Sequence, residues 1–185
     1  MKKGTWIALG CVVLLALIGV GGYNRLVSLS EAVDSSWAQV ENVLQRRYDL
    51  IPNLVNTVKG YAKHEKGLLE EVTRLRSQWG EAKTPADKGR AAEGLEGALS
   101  RLLLVAENYP QLKANENFLR LQDELAGTEN RISVERLRYN DAVRAYNVVV
   151  RRFPSNLVAK VCGFSKKDAY FKMKEAATDA PQVTF

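Results

Sequence analysis

TWIALGCVVLLALIGVGGY, residues 5–23, is the stretch that decides the class of this chain. Its nineteen residues carry no charge, and nine of them are Ile, Leu or Val. As a helix it spans roughly 28 Å, close to the thickness of a bilayer's hydrocarbon core. Trp6 and Tyr23 stand at its ends, where amphipathic rings favour the membrane interface. The segment therefore predicts a transmembrane helix with the lipid bilayer as its partner. The competing reading is a signal peptide cleaved near Gly19-Val20-Gly21, but secretory apolar cores usually run only about 7–15 residues. Lys2, Lys3 and the terminal amine precede the segment, while Arg25 alone follows it closely before Glu31 and Asp34. The positive-inside tendency then predicts a single-pass inner-membrane protein, with its N-terminus cytoplasmic and its body outside.

The remaining chain reads as helix. Of the 185 residues, 46% are hydrophobic and 26% charged, a globular rather than a disordered balance. Apolar residues recur at spacings of three and four. Leu26, Leu29, Val33, Trp37, Val40 and Leu44 mark a first helix to about Tyr48, which could continue directly from the membrane segment. Ile51, Leu54, Val58, Tyr61, Leu68, Val72, Leu75 and Trp79 mark a second, with Asp49 as its N-cap and only Glu65 interrupting the stripe. Thr84-Pro85-Ala86-Asp87 opens a third, with a cap, a first-turn proline and an acid three residues on. A fourth runs from about Asn115 to Phe153.

Pro52, Pro85, Pro110, Pro154 and Pro181 fall near the gaps between these segments. The predicted fold is all-α: the N-terminal transmembrane helix, then an antiparallel up-and-down four-helix bundle. Its stripes are too broad and its third helix too glycine-rich for an extended coiled coil. Residues 1–25 form the anchor and 26–153 the bundle. Residues 154–185 form a terminal segment in which Phe164, Tyr170, Phe171 and Met173 predict a short capping helix.

Composition excludes several functions. The net charge is +6, but Lys2, Lys3 and Arg25 flank the membrane segment, leaving 24 basic against 21 acidic residues elsewhere. That surplus of three, without interleaved aromatics, does not call for nucleic acid. His64 is the one histidine and lies in a charged run, so a paired Glu-x-x-His di-iron core is excluded. A structural zinc site lacks its cysteines, since Cys11 and Cys162 are the pair present. No phosphate-binding glycine loop or nucleophile elbow occurs. The expectation is a protein that is not an enzyme and needs no cofactor or metal.

What remains is a polar set. Arg46, Arg47, Asp49 and Asn53 crowd the expected first helix–helix turn, and Asn115, Glu116 and Asn117 the third. In an up-and-down bundle both turns lie at the membrane-distal end, so the two runs should be neighbours. Glu129, Asn140 and Asn147 follow along the fourth helix. These ten residues read either as a hydrogen-bonded network fixing helix register or as a partner-docking surface. The C-terminal Val183-Thr184-Phe185 has the form of a ligand for a PDZ-type groove.

The same runs carry a resemblance. Tyr23-Asn24-Arg25-Leu26-Val27, the stretch Arg46 to Val58, Val58-Lys59-Gly60-Tyr61-Ala62, Tyr109-Pro110 to Phe118, Glu129-Asn130, Tyr139-Asn140-Asp141-Ala142-Val143 and Tyr146-Asn147 together resemble the LemA family. The resemblance spans about Tyr23 to Phe164. It implies a bacterial single-pass membrane protein with a four-helix soluble bundle, and brings no catalytic assignment. The function expected is a membrane-anchored scaffold or adaptor for other envelope proteins or for copies of itself. The alternative is a ligand-sensing or lipid-binding bundle with a pocket beside the glycines of the third helix.

Overall fold

A computed structural model of the protein describes residues 2–62 and 64–171. The first helix, α1, runs unbroken from Lys2 to Tyr61. From Trp6 to Ile18 every side chain is exposed, including Leu15 and Leu17 at 68% and 66%. None of the described residues packs around this stretch, and it is long and apolar enough to cross a membrane. Beyond it, α1 acquires one buried stripe through Leu26, Val33, Val40, Leu44, Ile51, Leu54 and Val58. From Tyr23 to Tyr61 the helix climbs roughly 57 Å along its own axis.

The expected break near Pro52 does not occur, and Asp49 caps nothing there. Pro52 lies inside α1. A proline in a helix has no N–H for the carbonyl four residues back, here that of Tyr48. Arg76, on the next helix, donates from Nε to that carbonyl at 3.2 Å. Its neighbour thus satisfies the gap that would otherwise end the helix. The chain reverses instead at Ala62–Glu65, with Glu65 N–H donating to the Ala62 carbonyl.

Helix α2 (Lys66–Glu81) returns toward the membrane and α3 (Pro85–Ala106) climbs again. The Thr84 cap forms as its sequence predicts, Oγ accepting from the Asp87 N–H at 3.1 Å. A short turn of helix, α4 (Pro110–Lys113), precedes the long descending α5 (Glu116–Arg151). The four long helices therefore alternate in direction, and all the described secondary structure is helical.

The α1/α5 pair sets the frame. Asn115 Nδ2 donates to the Tyr61 hydroxyl, Arg47 pairs with Glu129, and Trp37 meets Tyr139 edge-on at 5.5 Å. In each pair the two residue numbers add to 176, so the helices run antiparallel without a slip of register. The α2/α3 hairpin is shorter. Trp79 lies against Tyr48, tilted by 33° with ring centroids 4.0 Å apart, and Lys88 pairs with Glu41, so the hairpin's tip lies beside residues 41–48 of α1. The hairpin covers the distal half of the pair and leaves the half near the membrane bare.

That half is covered by the end of the chain. After α5 comes α6 (Ser155–Val161), and residues 164–171 are then extended. The expected capping helix over Phe164, Tyr170 and Phe171 is not formed, because those residues lie flat along the bundle; Met173 falls outside the described residues. Phe171 stacks on Trp37 at 5.9 Å and meets Tyr139 edge-on, and its ring closes on Gly89 at the tip of α3. A Cβ at Gly89 would come within 3.3 Å of that ring, which is why a residue without one stands there.

Candidate functional site

The ten polar residues form no single cluster but divide into groups at different levels of the bundle. The largest is on the membrane-proximal half of α5. Asn147, 5% exposed, donates from Nδ2 to the Lys167 carbonyl at 2.7 Å and accepts on Oδ1 from the Lys167 N–H at 2.9 Å. Asn140 repeats the pattern on Phe171, at 2.9 and 3.0 Å. A carboxamide presents one acceptor and two donors in a plane, matching the C=O and N–H of an extended residue. Seven positions apart, the two amides lie on one face of the helix and grip residues four apart in the extended segment. The Tyr146 hydroxyl donates to the Ser165 carbonyl, and Lys167 reaches across to Asp34 of α1 at 2.8 Å. Residues 164–171 thus form a strap read through its backbone.

The strap also sets the titration of the tyrosines beneath it. Burial first, and then the Asp34 carboxylate, push Tyr146 above its ordinary value of 10.0; Tyr139 is raised by the same two causes and by Tyr170. Burial likewise pushes Tyr48 up. Groups that hold their protons more tightly when folded contribute stability that is complete below about pH 10 and is lost as pH rises through their folded values. Helicity followed together with tyrosinate absorbance should therefore fall only above pH 10. Ionisation of these three tyrosines near 10 with the helices intact would contradict it.

The second group lies between α1 and α5. Arg47 pairs with Glu129 with its side chain 11% exposed, halfway down the bundle rather than at its end. This pair holds register. The third group is distal. Asn115 caps α5, accepting from the Phe118 N–H at 3.1 Å while bonding Tyr61. Tyr109 donates to Glu65 at 3.2 Å, so the turns joining α1 to α2 and α3 to α5 do meet at one end. The run at 46–54 is not part of this end: it lies inside α1, and the first turn is at Ala62–Glu65. Arg46 and Glu116 are exposed, and Asp49 accepts from Gln45 one turn back.

Asn53 and Asn117 come together by another route. With Leu50, Asn56, Arg120 and Glu124 they line an open cleft of about 450 Å³ along the α1/α5 seam. At 100° per residue, Leu50, Asn53 and Thr57 sit roughly 140–200° round α1 from Tyr48, which faces α2. The cleft opens on the side away from the hairpin. Among the described residues no group of three or more His, Cys, Asp or Glu gathers to hold a metal. Of the glycines of α3, Gly94 faces Leu75 and Gly89 faces Phe171, while Gly97 borders open space. Val183-Thr184-Phe185 lies outside the described residues.

A family model, the LemA family, matches residues 36–185, taking in the clamp, the strap and the distal cleft. The chain belongs to the LemA family. The match begins beyond the anchor and extends past Phe164, so it takes in the strap-forming segment, whereas the apolar helix at 5–23 lies outside it. Magnetosome proteins MamQ 1 and MamQ 2 of Paramagnetospirillum magneticum are each 28% identical over 188 residues, covering 88% of this chain and 68% of the relative. Protein LemA of Metamycoplasma hominis is 23% identical over 145 residues, covering 76% and 65%. With its exposed apolar N-terminal helix, this LemA-family chain is a membrane protein.

Proposed function

We propose that this chain is a membrane-tethered adaptor that docks extended segments of other envelope proteins along the α1/α5 seam, and that it catalyses no reaction. One observation carries the reading: the Asn140 and Asn147 amides already hold an extended backbone against α5. Affinity in that mode comes from main-chain hydrogen bonds and is compatible with varied side chains, as suits an adaptor. The distal cleft offers the same chemistry, since Asn53 and Asn56 are exposed beside Asn117 and Arg120. A rigid α1 would hold that cleft well away from the bilayer. The charge flanking residues 5–23 favours an inner-membrane protein with the body on the outer side; protease added to spheroplasts should digest it there.

Photo-crosslinkers placed at Asn53 and Asn117 in the full-length chain test the docking surface. Both positions are expected to trap the same protein, and Glu70, exposed beside a different cleft between α1 and α2, is expected to trap none of it. Adducts that are equal at all three positions, or absent from the first two, would refute the assignment.

A further inference from the structure

By the α1/α5 register, Arg151 at the end of α5 is level with Arg25, at the body side of the membrane helix. The chain then continues past that level. Helix α6 packs Val158 against Gly22, where a Cβ would approach within 3.2 Å. Leu157, Val158 and Val161 join Gly19, Val20 and Tyr23 around an almost wholly apolar cleft of about 440 Å³. So α6 lies beside the last turn of the segment that itself sits in lipid. Much of this apolar surface, and Phe153 just before it, is open: Phe153 is 75% exposed, Leu157 57% and Val161 86%. Three large apolar side chains so exposed within nine residues are unfavourable in water and favourable at the acyl boundary.

The charges beside them fit the same surroundings. Arg25, Arg151, Arg152 and Lys160 are exposed. The ion pairs at this end engage Asp34 and Asp168 with Lys167 and Lys166, leaving those four cations without an acidic partner among the described residues. Arg144, Arg151, Arg152 and Lys166 also share a cleft of about 410 Å³ with the Tyr170 hydroxyl. Cations just above an apolar face are the arrangement that holds a protein to an anionic membrane surface.

We propose that α6 and Phe153 are embedded in the membrane interface, and that the cations above them bind the headgroups of acidic phospholipids. The bundle then has two footholds, the spanning helix and α6, which fix its tilt and rotation. The inference extends the adaptor reading but does not depend on it.

The exposed Cys162 reports on this directly. In full-length Cys11→Ser protein reconstituted in nanodiscs, an environment-sensitive fluorophore on Cys162 should be quenched by headgroup-attached spin labels. The quenching is expected to be roughly threefold or more that of the same fluorophore at Glu70→Cys. Replacing phosphatidylcholine by phosphatidylglycerol should strengthen it, and Arg151→Glu with Arg152→Glu should reduce the preference for phosphatidylglycerol about tenfold or more. Quenching equal to that at position 70 overturns the proposal. Strong quenching that ignores lipid charge overturns the headgroup assignment, and disulfide formation between Cys162 residues of two copies would assign the apolar face to self-association instead.

Discussion

Arg76→Leu is expected to lower the stability of the bundle by about 1–3 kcal/mol, and Pro52→Ala to remove most of that loss. Pro52 has no N–H to give the helix. In a regular helix that N–H would bond the Tyr48 carbonyl, and Pro in a helix interior costs about 3 kcal/mol relative to Ala. Here the carbonyl accepts from Arg76 instead, and Tyr48 itself is 2% exposed, so water is poorly placed to substitute. Leucine at 76 keeps much of the side chain's apolar stem but orphans the carbonyl. With alanine at 52 the helix supplies its own donor and Arg76 is no longer needed. Denaturant unfolding of the four proteins in detergent measures the coupling. If Arg76→Leu costs the same in both backgrounds, the guanidinium does not answer the proline.

That pair also explains what the sequence left hidden. The apolar repeats of α1 and α5, the Thr84 cap and the membrane segment are local signals, and each is where its pattern puts it. The placement of the first turn is not local. Pro52 reads as a helix boundary unless a donor 24 residues later is known to reach Tyr48, and nothing in the spacing announces Arg76. The stripe from Ile51 to Trp79 keeps its phase across Ala62–Glu65, so the reversal is marked only by the charge at Glu65. Phe153 belongs to the apolar repeat of α5 in sequence, yet α5 ends at Arg151, so Phe153 leaves the helix and its repeat and is 75% exposed. Asn140 and Asn147 were recognisable as polar groups beside an apolar stripe. Their partner was not, since an extended strap gripped through its backbone leaves no side-chain signature of its own.

Asn147→Ala is expected to free the strap. The substitution removes three hydrogen bonds, to the Lys167 N–H and carbonyl and to the Tyr170 hydroxyl at 2.9 Å. At about 1 kcal/mol each, and with the strap's groups left to find water, the loss comes to about 3 kcal/mol. Asn147→Asp is the sharper variant. It is nearly the same size and keeps the acceptor for the Lys167 N–H, but it has no amide donors and places a carboxylate in a site 5% exposed. If the clamp works through donor geometry, aspartate should be no better than alanine near neutral pH, whereas a packing role would leave aspartate close to wild type. Hydrogen exchange separates local release from global unfolding. The Lys167 amide should lose protection while that of Phe171, bonded to Asn140, and those along Ile51 to Val58 keep theirs, because the hairpin, not the strap, covers that part of α1. The second anchor should then partly rescue the strap: Phe171 remains held by Asn140, Trp37 and Tyr139, so adding Asn140→Ala should expose the segment to protease well beyond the single change. Unaltered protection of both amides in the double variant would mean that aromatic contacts alone hold the strap, and the backbone-reading chemistry assigned to this seam would fall with it.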